Sequence, residues 1–352
     1  MDVPETPDSP PPLDPSLAPV LLFRSGHGGG DEKSVKEETA GGGATTTMFL
    51  YSIPKRQLLP RVVGGGALDY LTSDVVVSWI TPQGWVLTLN PTTRDASLRD
   101  PFSSGAVRLP QDRDSLLPAA PDDTRCLLST TPHQPTCVVL VIHLKDPLLW
   151  HCSPGGDRWF RHEYTPELIS GDRTIAIWAV GMLTAAKGKF YTSVFNHGDG
   201  HKLVALELSS SSSPGPVISA TRVVVKPWLA GCFLVGIVES CSDLFAVRFN
   251  LEPLRGKALI DIYVYKLVPD ENTWVKVAQL GDDRVFFFSS VQEFGASMAA
   301  KELGLKANCI YFTDQHDKGL YVYDMEQGSI TLHNPGPDVP DSSEPVLLMN
   351  VT

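Results

Sequence analysis

Hydrophobic and polar residues alternate with a period of two along most of the chain, which is the pattern of half-buried β-strands. In the segment NCIYFTDQHDKGLYVYDMEQGSI, which begins at Asn308, two alternating runs flank the turn QHDKG. Two runs joined by a short connection that ends in glycine predict a β-hairpin. Gly328 then interrupts the pattern before a third run, SITLH.

Similar groups of three short strands recur through the sequence. The segment from Trp85 has the same order of elements, namely WVLTLN, the turn PTTRD, ASLRDPFSSG and AVRLP. Further copies begin at Cys137, Lys189 and Leu244, and a degenerate copy begins near Pro19. The spacing of roughly 50 residues or more is that of kelch blades, and a ring of such blades buries both faces of each sheet. We therefore predict an all-β, kelch-like β-propeller, with six blades as the expected number and seven as the alternative.

The remaining segments lack a strand pattern. Residues 1–17 are rich in proline and are predicted to be a disordered tail, so that residues 18–352 form a single β-propeller domain. A Gly-rich insertion at 26–43 is predicted to be disordered within a long hairpin, because both of its flanks have a strand pattern. One short helix is predicted at 296–303, where the sequence ASMAAKEL ends at Gly304.

The balance of charge narrows the classes of function. The chain has 29 basic and 40 acidic residues and a net charge of −11, whereas surfaces that bind nucleic acid contain clustered lysine and arginine. No apolar run approaches the roughly 20 residues of a membrane-spanning helix, and the N-terminus lacks a signal pattern. We expect a soluble monomer, cytoplasmic or nuclear, that binds neither nucleic acid nor a membrane.

Six cysteines are sparse and form no CxxC pair. This usage is typical of reduced, buried thiols in an intracellular protein.

The usual motifs of nucleotide and hydrolase chemistry are missing from the sequence. Gly188 and Lys189 resemble the end of a phosphate-binding loop, but Leu183 occupies the position of its first glycine and Phe190 that of its hydroxyl residue. No GxSxG or GxGxxG spacing occurs. We expect a protein that is not an enzyme and holds no cofactor or metal.

Two predicted strand connections, NHGDGH and DQHDKG, nevertheless combine histidine with aspartate. The residues are His197, Asp199 and His201 in the first, and Asp314, His316 and Asp317 in the second. The first set would suit zinc if a fourth ligand approached, and the second would suit acid–base catalysis. Glycines in a polar connection also make an ordinary hairpin loop, and DQHDKG repeats the geometry of PTTRD, which has no such chemistry. The architectural interpretation is the favoured one for both loops.

Three further histidines, His143, His151 and His162, lie in predicted strands or strand ends of one blade. His151 and Cys152 should point to opposite faces of their strand. We therefore interpret these residues as packing residues rather than metal ligands.

The C-terminal sequence resembles a known plant family. The segments YVYKLVPDENTWVKVAQLGDDRVFFF, LKANCIYFTD and LYVYDMEQGSI are similar to the C-terminal signature of the F-box-associated β-propeller proteins. These proteins contain a plant domain of unknown function that is especially numerous in grasses. GWVLTLNPTTRDASLRDPFSSGAVRLP resembles an early blade of the same family, so that the resemblance spans roughly Ala18 to Val351.

Many members of that family carry a helical F-box, which docks an adaptor of a ubiquitin ligase and leaves the propeller to choose the substrate. In this sequence only a Pro-rich segment precedes the first predicted strand, and no F-box fits it. The resemblance therefore implies a stand-alone propeller, a competitor of F-box relatives or a truncated descendant.

Pattern and resemblance together predict a non-enzymatic protein-interaction propeller, a substrate-recognition or regulatory module related to F-box ubiquitin-ligase receptors. Its loops would bind a protein partner on a rigid scaffold. The alternatives are a small-ligand-binding or enzymatic propeller that uses the central channel, and a barely functional duplicate. The candidate loops are Pro91 to Asp95, Asn196 to His201, Asp270 to Thr273 and Gln315 to Gly319. The candidate interaction residues in and beside them are Thr92, Arg94, His197, Asp199, His201, Glu271, Asn272, Asp314, His316 and Asp317.

Overall fold

The computed structural model describes residues 11–24, 48–59, 68–72, 75–164, 180–196, 200–209, 217–223, 233–251, 259–314, 317–341 and 343–351. The insertion predicted at 26–43 lies outside the described residues, as do residues 1–10 of the predicted tail. The described part of that tail contains a 3-10 helix at Pro15–Leu17, and the Leu13 N–H donates to the Pro101 carbonyl at 3.0 Å.

The described residues form 25 strands and two short α-helices. The first eleven strands are β1 (Val20–Arg24), β2 (Met48–Ser52), β3 (Gln57–Leu58), β4 (Val77–Ile80), β5 (Val86–Leu89), β6 (Ala96–Arg99), β7 (Ala106–Arg108), β8 (Thr124–Leu128), β9 (Val139–His143), β10 (Leu148–Cys152) and β11 (Phe160–Glu163). The next eight are β12 (Val180–Ala186), β13 (Lys189–Asn196), β14 (Gly200–Ser209), β15 (Val217–Val223), β16 (Phe233–Ser240), β17 (Asp243–Leu251), β18 (Leu259–Val268) and β19 (Thr273–Val277). The last six are β20 (Arg284–Ser289), β21 (Phe294–Ala299), β22 (Cys309–Thr313), β23 (Leu320–Asp324), β24 (Ser329–His333) and β25 (Val346–Leu348). The helices are α1 (Asp69–Thr72) and α2 (Ala300–Leu303).

Within the described ranges, the strands form five sheets. Four sheets are antiparallel and four-stranded, in the orders β25-β1-β2-β3, β4-β5-β6-β7, β8-β9-β10-β11 and β16-β17-β18-β19. The fifth has nine strands in the order β15-β14-β13-β12-β21-β20-β22-β23-β24, and its two halves meet in one parallel pair, Leu183 with Phe294. Because β25 pairs with β1, the first sheet combines strands from both ends of the described chain.

The repeated three-strand group is confirmed by the pairing. The groups β5–β7, β9–β11, β13–β15 and β17–β19 are antiparallel meanders, as is β22–β24, and each meander adds to a further strand on its inner side. Those inner strands are harder to find in the sequence because several are apolar on both faces: β20 is the run RVFFFS with five buried residues. The all-β class is confirmed. The blade number remains a prediction, because one nine-stranded sheet contains two of the groups.

The prediction of a helix at 296–303 is wrong for its first half. Residues 294–299 form β21, which pairs antiparallel with β20, and α2 covers only Ala300–Leu303. Ala296 and Met298 favour helices intrinsically, but ladder hydrogen bonds and burial of the strand outweigh that preference. Gly304 ends the helix as predicted, with a left-handed φ of 63°.

The core lies between neighbouring sheets. Trp159 belongs to a buried cluster that contains residues of both β5 and β9, and its Nε1–H donates to the Pro110 carbonyl at 2.9 Å. Trp274 is also buried, at the outer edge of its sheet. Both tryptophans are therefore packing residues.

Candidate interaction surface and a filled centre

The inner strands of successive sheets lie side by side around a common centre. Strand β4 contacts β8, β8 contacts β12, and β12 contacts β16. The hairpin β20–β21 is inserted at this centre, with β21 against both β12 and β16. At Gly295 the fit is so close that a Cβ atom would stand 3.0 Å from the Ile237 carbonyl oxygen of β16.

The turn of this hairpin, residues 290–293, is hydrogen-bonded to three inner strands outside the hairpin: β25 and β8 of two other sheets, and β12 of the same nine-stranded sheet. We call these four residues the central turn. Gln292 accepts from the Leu347 N–H of β25 at 2.6 Å and donates to the Leu347 carbonyl at 3.1 Å. The Leu183 N–H of β12 donates to the Glu293 carbonyl at 3.3 Å. Arg125 of β8 makes the third connection, since its Nη2 donates to the Val291 carbonyl at 3.1 Å.

An ion pair accompanies that third connection. The Arg125 Nη2 lies 3.6 Å from Glu293 Oε2. Burial lowers the pKa of Arg125 and raises the pKa of Glu293, and in each case the partner's charge opposes the shift. The Glu293 side chain is 40% exposed, but its Oε2 atom is itself buried, which accounts for the effect of burial on its pKa. Desolvation therefore outweighs attraction, and this pair positions the central turn more than it stabilises the fold.

A cleft of about 450 Å³ lies where β16–β19 meets the start of β20. Two basic side chains line this cleft, and both interact with neighbouring side chains. Lys266 is 2.6 Å from Asp243, and the Arg284 guanidinium donates to the hydroxyls of Ser240 and Ser297. Because these serines belong to β16 and β21, Arg284 connects the central hairpin to its neighbour.

The predicted interaction loops do not share one end of the sheets. Three of them, at 91–95, 196–201 and 315–319, join the first two strands of their meanders, namely β5 to β6, β13 to β14 and β22 to β23. The loop at 270–273 joins the last two strands of its meander, β18 and β19, which places it at the opposite end of an antiparallel sheet.

The two candidates in the first loop have different surroundings. Thr92 is exposed, and its N–H donates to the Asn90 side chain at 2.9 Å. Arg94 has a left-handed φ of 60°, and its guanidinium donates to the buried Asp112 carboxylate and to the Leu117 carbonyl. The contacts of Arg94 therefore stabilise its own loop, and a role of Arg94 in binding a partner remains a prediction.

In the loop at 270–273, Glu271 and Asn272 are both exposed, and Asn272 has a φ of 49°.

In the loop at 315–319, Asp317 accepts from the Gly319 N–H at 2.7 Å and from the Tyr321 hydroxyl at 2.6 Å. Asp314, which follows the last residue of β22, is half-buried. Asp317 has an architectural role, as the repeated turn geometry predicts.

Of the remaining candidates, His197, Asp199 and His316 lie outside the described residues. His201 lies in β14, where its backbone pairs with Phe195.

The histidines of β9–β11 form a packed pair. The Nε2 atoms of His151 and His162 are 3.0 Å apart, and their rings stack with centroids 5.1 Å apart. Burial lowers the pKa of His151 to about 4 and also lowers the pKa of His162. His143 instead accepts the backbone N–H groups of Lys145 and Asp146. Within the described part of the chain, no group of three or more His, Cys, Asp or Glu side chains is placed to hold a metal ion.

Four of the five described cysteines are buried free thiols, as predicted: Cys126, Cys137, Cys152 and Cys309. Burial raises the pKa of Cys137 to about 11. The prediction is wrong for Cys241, which is exposed in the β16–β17 turn at a left-handed φ of 52°. Turn geometry, rather than hydrophobicity, sets its position.

The sequence interpretation missed an exposed apolar edge at β24. All residues of this strand except His333 are exposed, including Ile330 at 38% and Leu332 at 57%. The missed signal was the composition SITLH, which contains no charged residue. Among the other outer strands, β3 has only two residues, and β7, β11, β15 and β19 each contain a charge.

Antiparallel sheets arranged side by side around a centre, with the first sheet completed by a late strand, define a β-propeller. The KIB1-4 beta-propeller family matches residues 50–324, which is well over half of the chain. The chain therefore belongs to the KIB1-4 beta-propeller family.

Individual relatives are more distant. A putative F-box protein of Arabidopsis thaliana is 29% identical over 76 residues, which span 19% of this chain and 18% of the relative. Together with the family match, it supports a plant F-box-associated propeller family.

The solved structures that match this chain are distant from it. The β-propeller domain of Cps50 (Swd1) from Myceliophteria thermophila is 9% identical, with a TM-score of 0.34 over 96% of this chain and 89% of that one. A protein of unknown function from Bacteroides caccae is 9% identical, with a TM-score of 0.29 over 87% of this chain and 83% of that one.

None of the helices within the described ranges is long and apolar enough to cross a membrane.

Proposed function

We propose that this chain is a non-enzymatic protein-interaction propeller that binds a protein partner on its outer surface. The observation that carries the proposal is the central turn, which is hydrogen-bonded to β25, β12 and β8. A propeller that binds a small ligand in its channel needs open space among its inner strands. Here β21 contacts β12 and β16, and the central turn is hydrogen-bonded to three inner strands, which favours recognition by the loops and outer strands.

The finer features of the fold belong to the same proposal. Counting the two halves of the nine-stranded sheet separately gives six groups of at least four strands, which supports six kelch-like blades. In the last group, β20 runs parallel to β22, and β21 is an additional inner strand. The sixth blade would thus be a modified one that also fills the centre.

The similarity to a putative F-box protein gives the proposal its biological direction. The chain would act as a substrate-recognition or regulatory module related to F-box receptors, as a cytoplasmic or nuclear monomer. A rigid ring with variable surface features suits that role, because the scaffold stays fixed while contacts change.

Proximity labelling in plant cells tests this function. The full chain is the bait, a chain with a scrambled propeller sequence is the control, and mass spectrometry identifies the labelled proteins. We expect reproducible enrichment of one protein or of ubiquitin-ligase subunits with the folded chain alone. Labelling patterns that are identical for bait and control would overturn the proposal.

The loops are tested in a second arm. The exposed residues Thr92, Glu271 and Asn272 are replaced by serine or glycine, and Arg94 is kept because it fastens its loop. If these loops contribute to recognition, enrichment of the partner falls while the unfolding midpoint stays unchanged. Full retention of the partner would remove these loops from the proposal.

A further inference from the structure

Strand β24 is the outermost strand of its sheet, and its outer edge has no partner strand among the described residues. It pairs on its inner side with β23, so that Ile330 lies opposite Tyr323 and Leu332 opposite Tyr321. Natural proteins usually protect such edges with charged residues, prolines or very short strands. β24 uses none of these devices over its five residues.

The apolar side chains of this edge rest on an ordered platform. Tyr321 stacks on Phe312 with ring centroids 5.2 Å apart, and its hydroxyl donates to Asp317 at 2.6 Å. Leu332 packs against Gly319 so closely that a Cβ atom at that glycine would stand 2.6 Å from Leu332 Cδ1. The edge is therefore held in place before any partner arrives, which lowers the entropic cost of binding.

The part of the sequence that contains this edge is acidic. From Lys306 to Asp341 the sequence contains six carboxylates and two lysines. Both lysines are already engaged: Lys306 with Asp324 at 2.7 Å and Lys318 with Asp341 at 2.8 Å. The local excess of negative charge disfavours a second copy of this chain, whose own net charge is −11, and favours a basic partner.

We propose that β24 is a docking edge for an extended segment of another protein. This segment has apolar residues at every second position and basic residues at its ends. The segment adds a strand to the sheet by backbone hydrogen bonds. Its apolar side chains pack on Ile330 and Leu332, while its basic ends face the carboxylates of the 306–341 region. This inference rests on the proposed protein-interaction function and gives it a site.

Fluorescence anisotropy with a labelled peptide tests the proposal on the full chain. The probe alternates valine and threonine and is flanked by lysines. A second peptide has the same sequence with N-methyl groups on alternate backbone nitrogens, and a third has glutamate in place of lysine. We expect the first peptide to bind, and both others to bind at least about tenfold more weakly, because strand addition needs the backbone donors and the acidic surface needs cations.

Variants of the chain locate the site. Ile330→Thr with Leu332→Thr removes both apolar anchors without adding charge and keeps residues that favour strands. Val75→Thr is the matched control, because Val75 is 61% exposed in another part of the molecule. The double variant should bind the probe about tenfold more weakly, and the control should bind it normally.

Several results would overturn the inference: no binding of the probe, equal binding of the N-methylated peptide, or equal binding by the double variant. If the double variant does not fold, the comparison of the N-methylated peptide with the unmodified peptide, both on the unaltered chain, decides whether binding occurs by strand addition. A dimer in sedimentation that dissociates in the double variant would show that the edge is occupied by a second copy instead. If proximity labelling finds a partner that the double variant retains, the docking edge is wrong while the proposed function stands.

Discussion

Gln292 and Leu347 exchange two hydrogen bonds at the centre of the propeller, with distances of 2.6 and 3.1 Å. One residue belongs to the central turn and the other to β25, which completes the first sheet. The contact therefore ties the inserted hairpin to the strand that joins the two ends of the described chain.

Replacement of Gln292 by alanine should lower the free energy of unfolding by about 1–3 kcal/mol, because the Leu347 N–H and carbonyl lose their partners. Urea unfolding at neutral pH measures the change. Gln327→Ala, in the exposed β23–β24 turn, is the control and should have little effect. Equal effects of the two substitutions on the free energy of unfolding would show that the contact between Gln292 and Leu347 does not stabilise the fold more than an exposed turn residue does.

The ion pair between Arg125 and Glu293 should respond asymmetrically to substitution. Arg125→Met removes the donor to Val291 and leaves a partly buried carboxylate without its cation, which should cost about 3 kcal/mol. Glu293→Gln keeps a polar group near Arg125 and removes the desolvated charge, so that stability should change by less than about 1 kcal/mol. The same unfolding assay measures both. A larger loss for Glu293→Gln than for Arg125→Met would contradict our reading of this pair.

Asp112 should be critical for the loop at 91–95, although nothing in the sequence singles it out. It is 1% exposed and accepts from the N–H groups of Leu116 and Leu117 as well as from Arg94. Asp112→Ala should therefore destabilise the fold by about 3 kcal/mol, because it leaves buried donors unpaired. Thr92→Ala in the same loop should be within about 0.5 kcal/mol of the unaltered chain. Thermal unfolding compares the two, and a near-normal Asp112→Ala variant would refute this role.

The packed pair of His151 and His162 should make stability sensitive to acid. The pKa of His151 falls from 6.5 to about 4 on folding, so between these values the unfolded chain binds more protons. Its contribution is present above about pH 6.5 and is lost on acidification, with a size of about 3 kcal/mol. His151→Phe, which preserves stacking on Phe160, should lose less stability than the unaltered chain between pH 7 and pH 4.5.

Urea unfolding at several pH values gives that comparison. His133→Phe replaces an exposed histidine and is the control, since it leaves the His151–His162 pair intact. Identical acid dependence for His151→Phe and the control would mean that the pair is not the acid-sensitive element.

The outer three strands of most groups were predictable from the sequence because polar turns separate them and some, such as β6 and β11, alternate between a more and a less buried face. Strands such as β20 and β21 were not, for two physical reasons. β20 is buried on both faces and therefore lacks the alternation, and β21 has residues that favour a helix in isolation. Only the packing of the inner strands around the centre decides their conformation.

The contacts of the site residues were likewise predictable where they are local in sequence and unpredictable where they join distant residues. Local turn chemistry accounts for the hydrogen bond that the Gly319 N–H donates to Asp317, because an Asx side chain accepts from the backbone two residues further on. The contact of Arg94 with Asp112 joins residues 18 positions apart and depends on how the loop folds back. The exposure of Ile330 and Leu332 depends on β24 being an outer strand, which the order of strands in the sheet alone determines.

The central claim is that the centre of this propeller is filled and that a protein partner binds outside it. Native and denaturing mass spectrometry of the chain purified from plant cells tests both parts at once. We predict a native mass equal to that of the chain, or of the chain with a whole protein partner. A stoichiometric metabolite or metal ion that is present in the native spectrum and lost on denaturation would contradict the account.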